Sequence, residues 1–275
     1  MTKRFIGQVK IILIVIPVVL LLAGCSSQPE LISVNINPEI DNLKATTSAS
    51  ITATGQNKPK IPTTTVAASK AASQQVQVPK SFELDVPFTS QAPLANWDAL
   101  HEEACEEASM IMAFKYFNHQ PLNDQIAEQE IQKIIAWETE RGYKVDLTAE
   151  QTVKILHDYY NLPAQVTRDV NVDRIKYELS RGNLIIVPAA GRELNNPNFK
   201  QPGPIYHMLV IKGYNDKEFI VNDPGTRRGN GYKYSYQTLL GAVHDWNQQL
   251  ADQLGGMTEE NMVRGQKVLV IVSQQ

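Results

Sequence analysis

Between Ser26 and Ser81 the chain has no aromatic residue, and at Phe82 its character changes. A segment built of Thr, Ala, Ser, Gln and Lys with scattered prolines, as from Ala45 to Pro79, cannot bury enough apolar surface to offset the entropy of ordering it. Residues 25–80 are therefore expected to form a disordered tether. The folded part is expected at 81–275, a length that suits one domain with its own core.

The first 24 residues read as an export signal. Lys3, Arg4 and Lys10 form a basic start, Ile11 to Leu22 is almost wholly apolar, and the run ends Leu22-Ala23-Gly24-Cys25. A basic start, a short apolar run and small residues at its end mark a secretory signal peptide. The last four residues resemble the bacterial lipobox, which implies cleavage before Cys25 and lipidation (palmitate) of its thiol. An uncleaved membrane anchor is the competing reading. The apolar run falls short of the ~20 residues that span a bilayer, and Pro17 interrupts it. The expected location is extracytoplasmic, on a membrane through a lipid anchor.

Losing residues 1–24 removes three basic residues and no acidic one, which moves the formal charge from −3 to −6. An acidic chain without a basic stripe argues against a nucleic-acid partner. The two cysteines are Cys25 and Cys105. With Cys25 lipidated, Cys105 is a lone thiol in an exported protein, open to oxidation and with no disulfide framework to explain it.

From Phe82 onward the apolar pattern gives an element order. Phe82 to Phe88 alternates as a strand does. Helices are expected over Glu103–Phe117, Asp124–Arg141, Thr148–Tyr160 (opened by the capping box Thr148-Ala149-Glu150-Gln151) and from Asn171 or Asp173 to about Gly182. Strands are expected at Leu184–Ala189, Tyr206–Gly213, Glu218–Asn222 and Lys267–Val272, with a helix over Gln237–Leu250 before the last. Gly225 to Gly231 reads as a flexible turn. Helices first and antiparallel strands afterwards describe an α+β domain.

The strands on either side of Tyr214-Asn215-Asp216-Lys217 form a hairpin. A loop centred on Asn215 pairs Ile211 with Phe219 and Leu209 with Val221, and it sets His207 opposite Asp223. An imidazole beside a carboxylate has one nitrogen held and the other free to act as a base. Cys105 stands near a helix start, where thiol pKa values fall. Glu106 and Glu107 are expected to project away from the face that carries Cys105, which leaves Glu102 as the nearest unfavourable charge. Gln91, between the first strand and that helix, is a candidate oxyanion donor together with the backbone N–H of Cys105. His101 and Cys105 stand four apart, but two ligands do not make a zinc site, so neither metal nor cofactor is expected.

Five stretches resemble a known family. Val86-Pro87-Phe88-Thr89-Ser90-Gln91-Ala92-Pro93, Asn96-Trp97 and Glu103-Ala104-Cys105-Glu106-Glu107-Ala108-Ser109 are similar to the nucleophile region of bacteriocin-processing (double-glycine) cysteine peptidases. His207-Met208-Leu209-Val210-Ile211-Lys212-Gly213-Tyr214 and Val221-Asn222-Asp223-Pro224-Gly225 resemble that family's His and Asp motifs. The similarity runs from Phe82 to about Asp245. It implies a papain-like fold and a Cys-His-Asp triad on Cys105, His207 and Asp223, with Gln91 completing the oxyanion hole.

Plainer readings stand beside this one. Cys105 on an apolar helical face fits a small core residue, and Asp223 before Pro224-Gly225 fits turn chemistry. The expected function is a thiol hydrolase, a peptidase acting on a peptide or protein substrate as a monomer. Acyl or isopeptide transfer or a peptidoglycan amidase on the same triad is the alternative. A non-catalytic binding lipoprotein is the alternative from another class.

Overall fold

The computed structural model describes residues 78–274. The expected signal at 1–24, Cys25 and nearly all of the expected tether lie outside the described residues.

After a two-residue strand β1 (Phe82–Glu83), four helices dominate the first half: α1 (Cys105–Phe117), α2 (Asp124–Glu140), α3 (Ala149–Asp158) and α4 (Val172–Ser180). Their starts follow local chemistry. The Asn123 side chain accepts from the Ile126 N–H, Thr148 and Gln151 close the expected capping box, and Asn171 accepts from the Arg174 N–H. Each bond satisfies a donor that the first helical turn leaves open. Helix α1 is the exception, since no side chain caps it.

The remaining strands are β2 (Ala164–Thr167), β3 (Leu184–Ala190), β4 (Tyr206–Tyr214), β5 (Glu218–Asn222), β6 (Asn230–Ser235) and β7 (Leu269–Val272). They form one antiparallel sheet in the order β2-β7-β3-β4-β5-β6. Strand β4 is longer than its neighbour β3, and β1 pairs with the overhang at Gly213 and Tyr214. Both β3 and β4 are buried along their whole length.

Helix α1 packs on β4 on one side and on α2 and α3 on the others. Met110, Ile111 and Met112 are all fully buried, so this helix has no solvent face. That arrangement corrects the expected position of Glu106 and Glu107. Both lie in the interior, 1% and 2% exposed.

Three other expectations change. Strand β1 stops at Glu83, because the chain turns where the Val86 N–H donates to the Leu84 carbonyl. The expected helix over Gln237–Leu250 is split into α5 (Tyr236–Ala242) and α6 (Gln248–Ala251). Between them Val243 bridges Ala189 and the His244 N–H donates to Pro188, along a stretch of β3 that β7 does not reach. Strand β6 begins where a turn was expected to end.

Candidate active site

His207 is the second residue of β4 and Asp223 follows the last residue of β5. Their imidazole Nε2 and carboxylate Oδ1 are 2.8 Å apart, with the two side chains 1% and 0% exposed. The register that joins them differs from the expected one. Ile211 pairs with Val221 and Val210 with Asn222, and a bulge at Lys212 intervenes before Gly213 pairs with Ile220. The turn lies later than expected, because the Asn215 side chain accepts from the Lys217 and Glu218 N–H groups, the Asx chemistry that favours a turn there.

Continuing the observed register puts Gly225 opposite His207. A shift of two residues preserves the face, so Asp223 becomes the diagonal neighbour, a pairing long side chains can span. Gly225 makes that span possible. A Cβ there would lie 2.8 Å from Cε1 of His207 and 3.2 Å from its Nε2, so the imidazole leans across space that another residue would fill.

Asp223 accepts four hydrogen bonds. Oδ1 takes His207 Nε2 and the Gly225 N–H, and Oδ2 takes the Tyr234 hydroxyl at 2.6 Å and the Asn196 amide at 3.1 Å. Burial alone would raise its pKa. The charge of His207 and the hydrogen bonds outweigh burial and hold the carboxyl below its ordinary value. Because an ionised carboxylate only accepts, Nε2 carries the ring hydrogen and Nδ1 is left as the basic nitrogen. Tyr234 and Asn196 were not legible in the sequence, since they meet Asp223 from positions 11 and 27 residues away.

Cys105 is the first residue of α1 and 5% exposed. The N–H of Met208 donates to its sulfur at 3.3 Å, which holds the sulfur against the backbone beside His207. The thiol in turn donates to the carboxyl of Glu106 at 2.9 Å. Burial first, and then the Glu106 carboxyl, push the thiol pKa well above its ordinary value. The expected lowering is therefore reversed. Glu102, expected to be the unfavourable neighbour, is exposed and paired with Lys200 at 2.9 Å.

Gln91 is buried, and its N–H donates to the Pro224 carbonyl next to Asp223. Its side-chain amide donates to the carbonyls of His101 and Glu102 at 2.9 and 2.8 Å. Both amide hydrogens are spent there, so Gln91 braces the turn ahead of Cys105 and presents no free donor to an oxyanion. His101, considered above with Cys105 as a metal pair, bonds Asp98 and Glu128 instead.

A cleft of about 940 Å³ crosses this region, lined by Gln91, Trp97, Phe199, Tyr206 and Gly225 among others. Cys105 and His207 are not lining residues, but Phe199 and Gly225, which are, stand against the His207 ring. The ring of Phe199 stands edge-on to the His207 imidazole, with centroids 5.2 Å apart.

The model of the Peptidase_C39 like family matches residues 83–252. The chain belongs to this family. Its helices and seven-stranded antiparallel sheet are the α+β papain-like fold of such cysteine peptidases. A Bacillus anthracis protein whose crystal structure carries a provisional C39-like peptidase assignment is similar at 13% identity and a TM-score of 0.46, over 72% of this chain and 99% of that one. No curated protein matches the chain. Within the C39-like family frame, the sequence stretch matched contains all four residues singled out above, Gln91, Cys105, His207 and Asp223.

Proposed function

We propose that this C39-like family member is a membrane-anchored, extracytoplasmic peptidase with Cys105 as nucleophile, His207 as base and Asp223 as the group that orients it. The bond between His207 and Asp223, beside a lone cysteine at an uncapped helix start, carries the reading. The Cys105 proton passes to Nδ1 of His207 as sulfur attacks the scissile carbonyl. The negative oxygen is received by N–H groups at the start of α1, where the N-cap residue Ala104 makes no side-chain cap bond. The imidazolium, stabilised by Asp223, then gives its proton to the leaving amine. A water deprotonated by His207 hydrolyses the thioester and restores the thiol. A raised thiol pKa makes the base more necessary, since little thiolate exists without it.

The membrane anchor rests on the sequence alone, on Leu22-Ala23-Gly24-Cys25. Mass spectrometry of the mature chain should find a lipid on Cys25, and Cys25→Ala should leave the precursor uncut.

The catalytic reading is tested on a mixture of tryptic peptides, with products read by mass spectrometry. Cys105→Ala and His207→Ala are each expected to lower turnover by more than about 10³-fold. Retained turnover in Cys105→Ala would sink it.

A further inference from the structure

Beside the cleft lies a second cavity of about 120 Å³, the space of roughly four waters. Its walls are apolar at Leu100, Ile135, Tyr143 and Val145, while Glu103, Glu107 and Glu138 bring carboxyl groups to it. Glu103 lines the large cleft as well, and Val145 precedes Asp146, another cleft residue. The two spaces therefore share a wall, two residues ahead of Cys105.

The carboxyl groups have no counter-charge. Among the described residues no cationic side chain pairs with Glu103, Glu107 or Glu138. Lys144, which also lines the cavity, gives its ammonium to Asp252. Glu107 and Glu138 are 2% and 5% exposed, their carboxyl groups bond each other, and Oε2 of the first and Oε1 of the second have no donor from any other group among the described residues. Buried polar atoms in folded proteins are nearly always paired, and an unpaired buried carboxylate costs several kcal/mol. The two acids bear on each other. Burial raises the pKa of both, Glu138 to about 7, and Glu107 is further raised by Glu138. A pair of this kind gives up its first proton near pH 7 and holds the second, so above that pH it carries one negative charge. Apolar walls leading to a single buried negative charge fit an aliphatic stem that ends in a cation. No group of three or more His, Cys, Asp or Glu among the described residues is arranged to hold a metal ion.

We propose that this cavity is a side-chain subsite of the cleft that takes a long basic residue of the substrate, its stem along Leu100 and Ile135 and its cation on Glu107 and Glu138. The inference names the substrate class of the peptidase reading above and rests on it. The cavity itself can be tested without any turnover.

The full chain is titrated with Nα-acetyl-lysine methylamide, and separately with the arginine and norleucine analogues, while NMR follows the backbone amides of residues 99–107 and 135–145. Saturable shifts with a Kd of about 1 mM are expected for one or both basic ligands, at least tenfold weaker with norleucine. The Glu107→Gln, Glu138→Gln double variant should lose that difference. Should the double variant fail to fold, Glu103→Gln at the rim is expected to weaken the basic ligands by about threefold. Equal binding of lysine, arginine and norleucine ligands, or no saturable shift at those amides, overturns the proposal. Iodoacetamide labelling of Cys105 on the same samples reports separately on the thiol, so failure of the subsite and failure of the catalytic reading are told apart.

Discussion

The carboxyl of Glu106 accepts the thiol hydrogen of Cys105 across 2.9 Å. The same carboxyl accepts the N–H of Leu147 at 3.1 Å, and the Leu147 carbonyl accepts the hydroxyl of Tyr206, the residue before His207. Glu106 thus ties the Cys105 thiol to the loop before α3 and, through that loop, to the strand that bears His207. Burial and the neighbouring Glu107 raise the pKa of Glu106 well above its ordinary value, and wherever it does ionise it disfavours the thiolate beside it.

Replacing Glu106 with Gln removes the ionisable group, keeps an oxygen for the Leu147 N–H and puts an amide donor in place of an acceptor beside the sulfur. The thiol pKa should fall. One unit is a tenfold change in thiolate at a given pH below the pKa, so alkylation by iodoacetamide at pH 7.5 should quicken by roughly tenfold. An unchanged rate in Glu106→Gln would mean that burial alone sets the thiol.

Gly225→Ala should cost activity more than stability. The added methyl would stand 2.8 Å from Cε1 of His207 and 2.8 Å from Cε1 of Phe199, so one ring or both must move. Overpacking of this kind costs about 1–3 kcal/mol. A displacement of about 1 Å in a catalytic group lowers turnover by about 10²-fold. Thermal unfolding and peptide turnover measured on one preparation separate the two effects, and full activity in Gly225→Ala would show that the imidazole does not need this path to Asp223.

Much of this site could be read from the chain, and the parts that could not share a physical cause. Alternation and helical spacing report which residues face a neighbour, so β4, β5 and the helix bearing Cys105 were legible. Turn chemistry decides register, and a bulge such as the one at Lys212 has no periodic signal. The expected pairing of His207 with Asp223 therefore missed by two residues while keeping the face. Helical spacing also placed Glu106 and Glu107 away from the face that carries Cys105, yet the Glu106 carboxyl bonds its thiol. Only the packing of α2 and α3 over α1 puts both in the interior. The Gln91 amide is a similar case. Its place near Cys105 was legible, but its partners, the carbonyls of His101 and Glu102, depend on a short 3-10 turn that no residue pattern announced.

The buried acids predict how stability responds to pH. Glu138 is raised to about 7, and Asp146 and Asp245 to about 6, each chiefly by burial. Between the ordinary carboxyl pKa and these values the folded chain holds more protons than the unfolded chain, so stability falls as pH rises. Asp223 acts in the opposite sense. Its lowered pKa stabilises the fold above the ordinary carboxyl range, and that contribution is lost as the solution becomes strongly acidic. Maximal stability is expected near the ordinary carboxyl pKa, at about pH 4. From pH 5 to pH 8 Glu138 alone should account for a loss of up to roughly 3 kcal/mol, and Glu138→Gln should flatten the curve over that window. Denaturant unfolding at several pH values measures this, and a wild-type stability that rises from pH 5 to pH 8 would contradict it.

Access to the nucleophile should depend on Phe199. The ring lines the cleft and stands edge-on to His207, while Cys105 and His207 are buried at 5% and 1% exposure. Besides the hydrogen bonds through Asn196, Gln201 and Gly203, two contacts hold the segment that carries Phe199. One is the apolar packing of the ring itself, 6% exposed. The other is the ion pair between Lys200 and Glu102, with side chains 87% and 43% exposed. An exposed pair contributes about 0–1 kcal/mol, whereas burying an aromatic side chain contributes about 1.5–3 kcal/mol. Packing should therefore control opening. Phe199→Ala is expected to speed alkylation of Cys105 by about tenfold or more, and more for a bulky maleimide than for iodoacetamide, because the bulky reagent needs the wider path. Lys200→Gln should change either rate by less than about threefold. The reverse order, with Lys200→Gln the faster variant, would make the ion pair the latch and the ring a passenger.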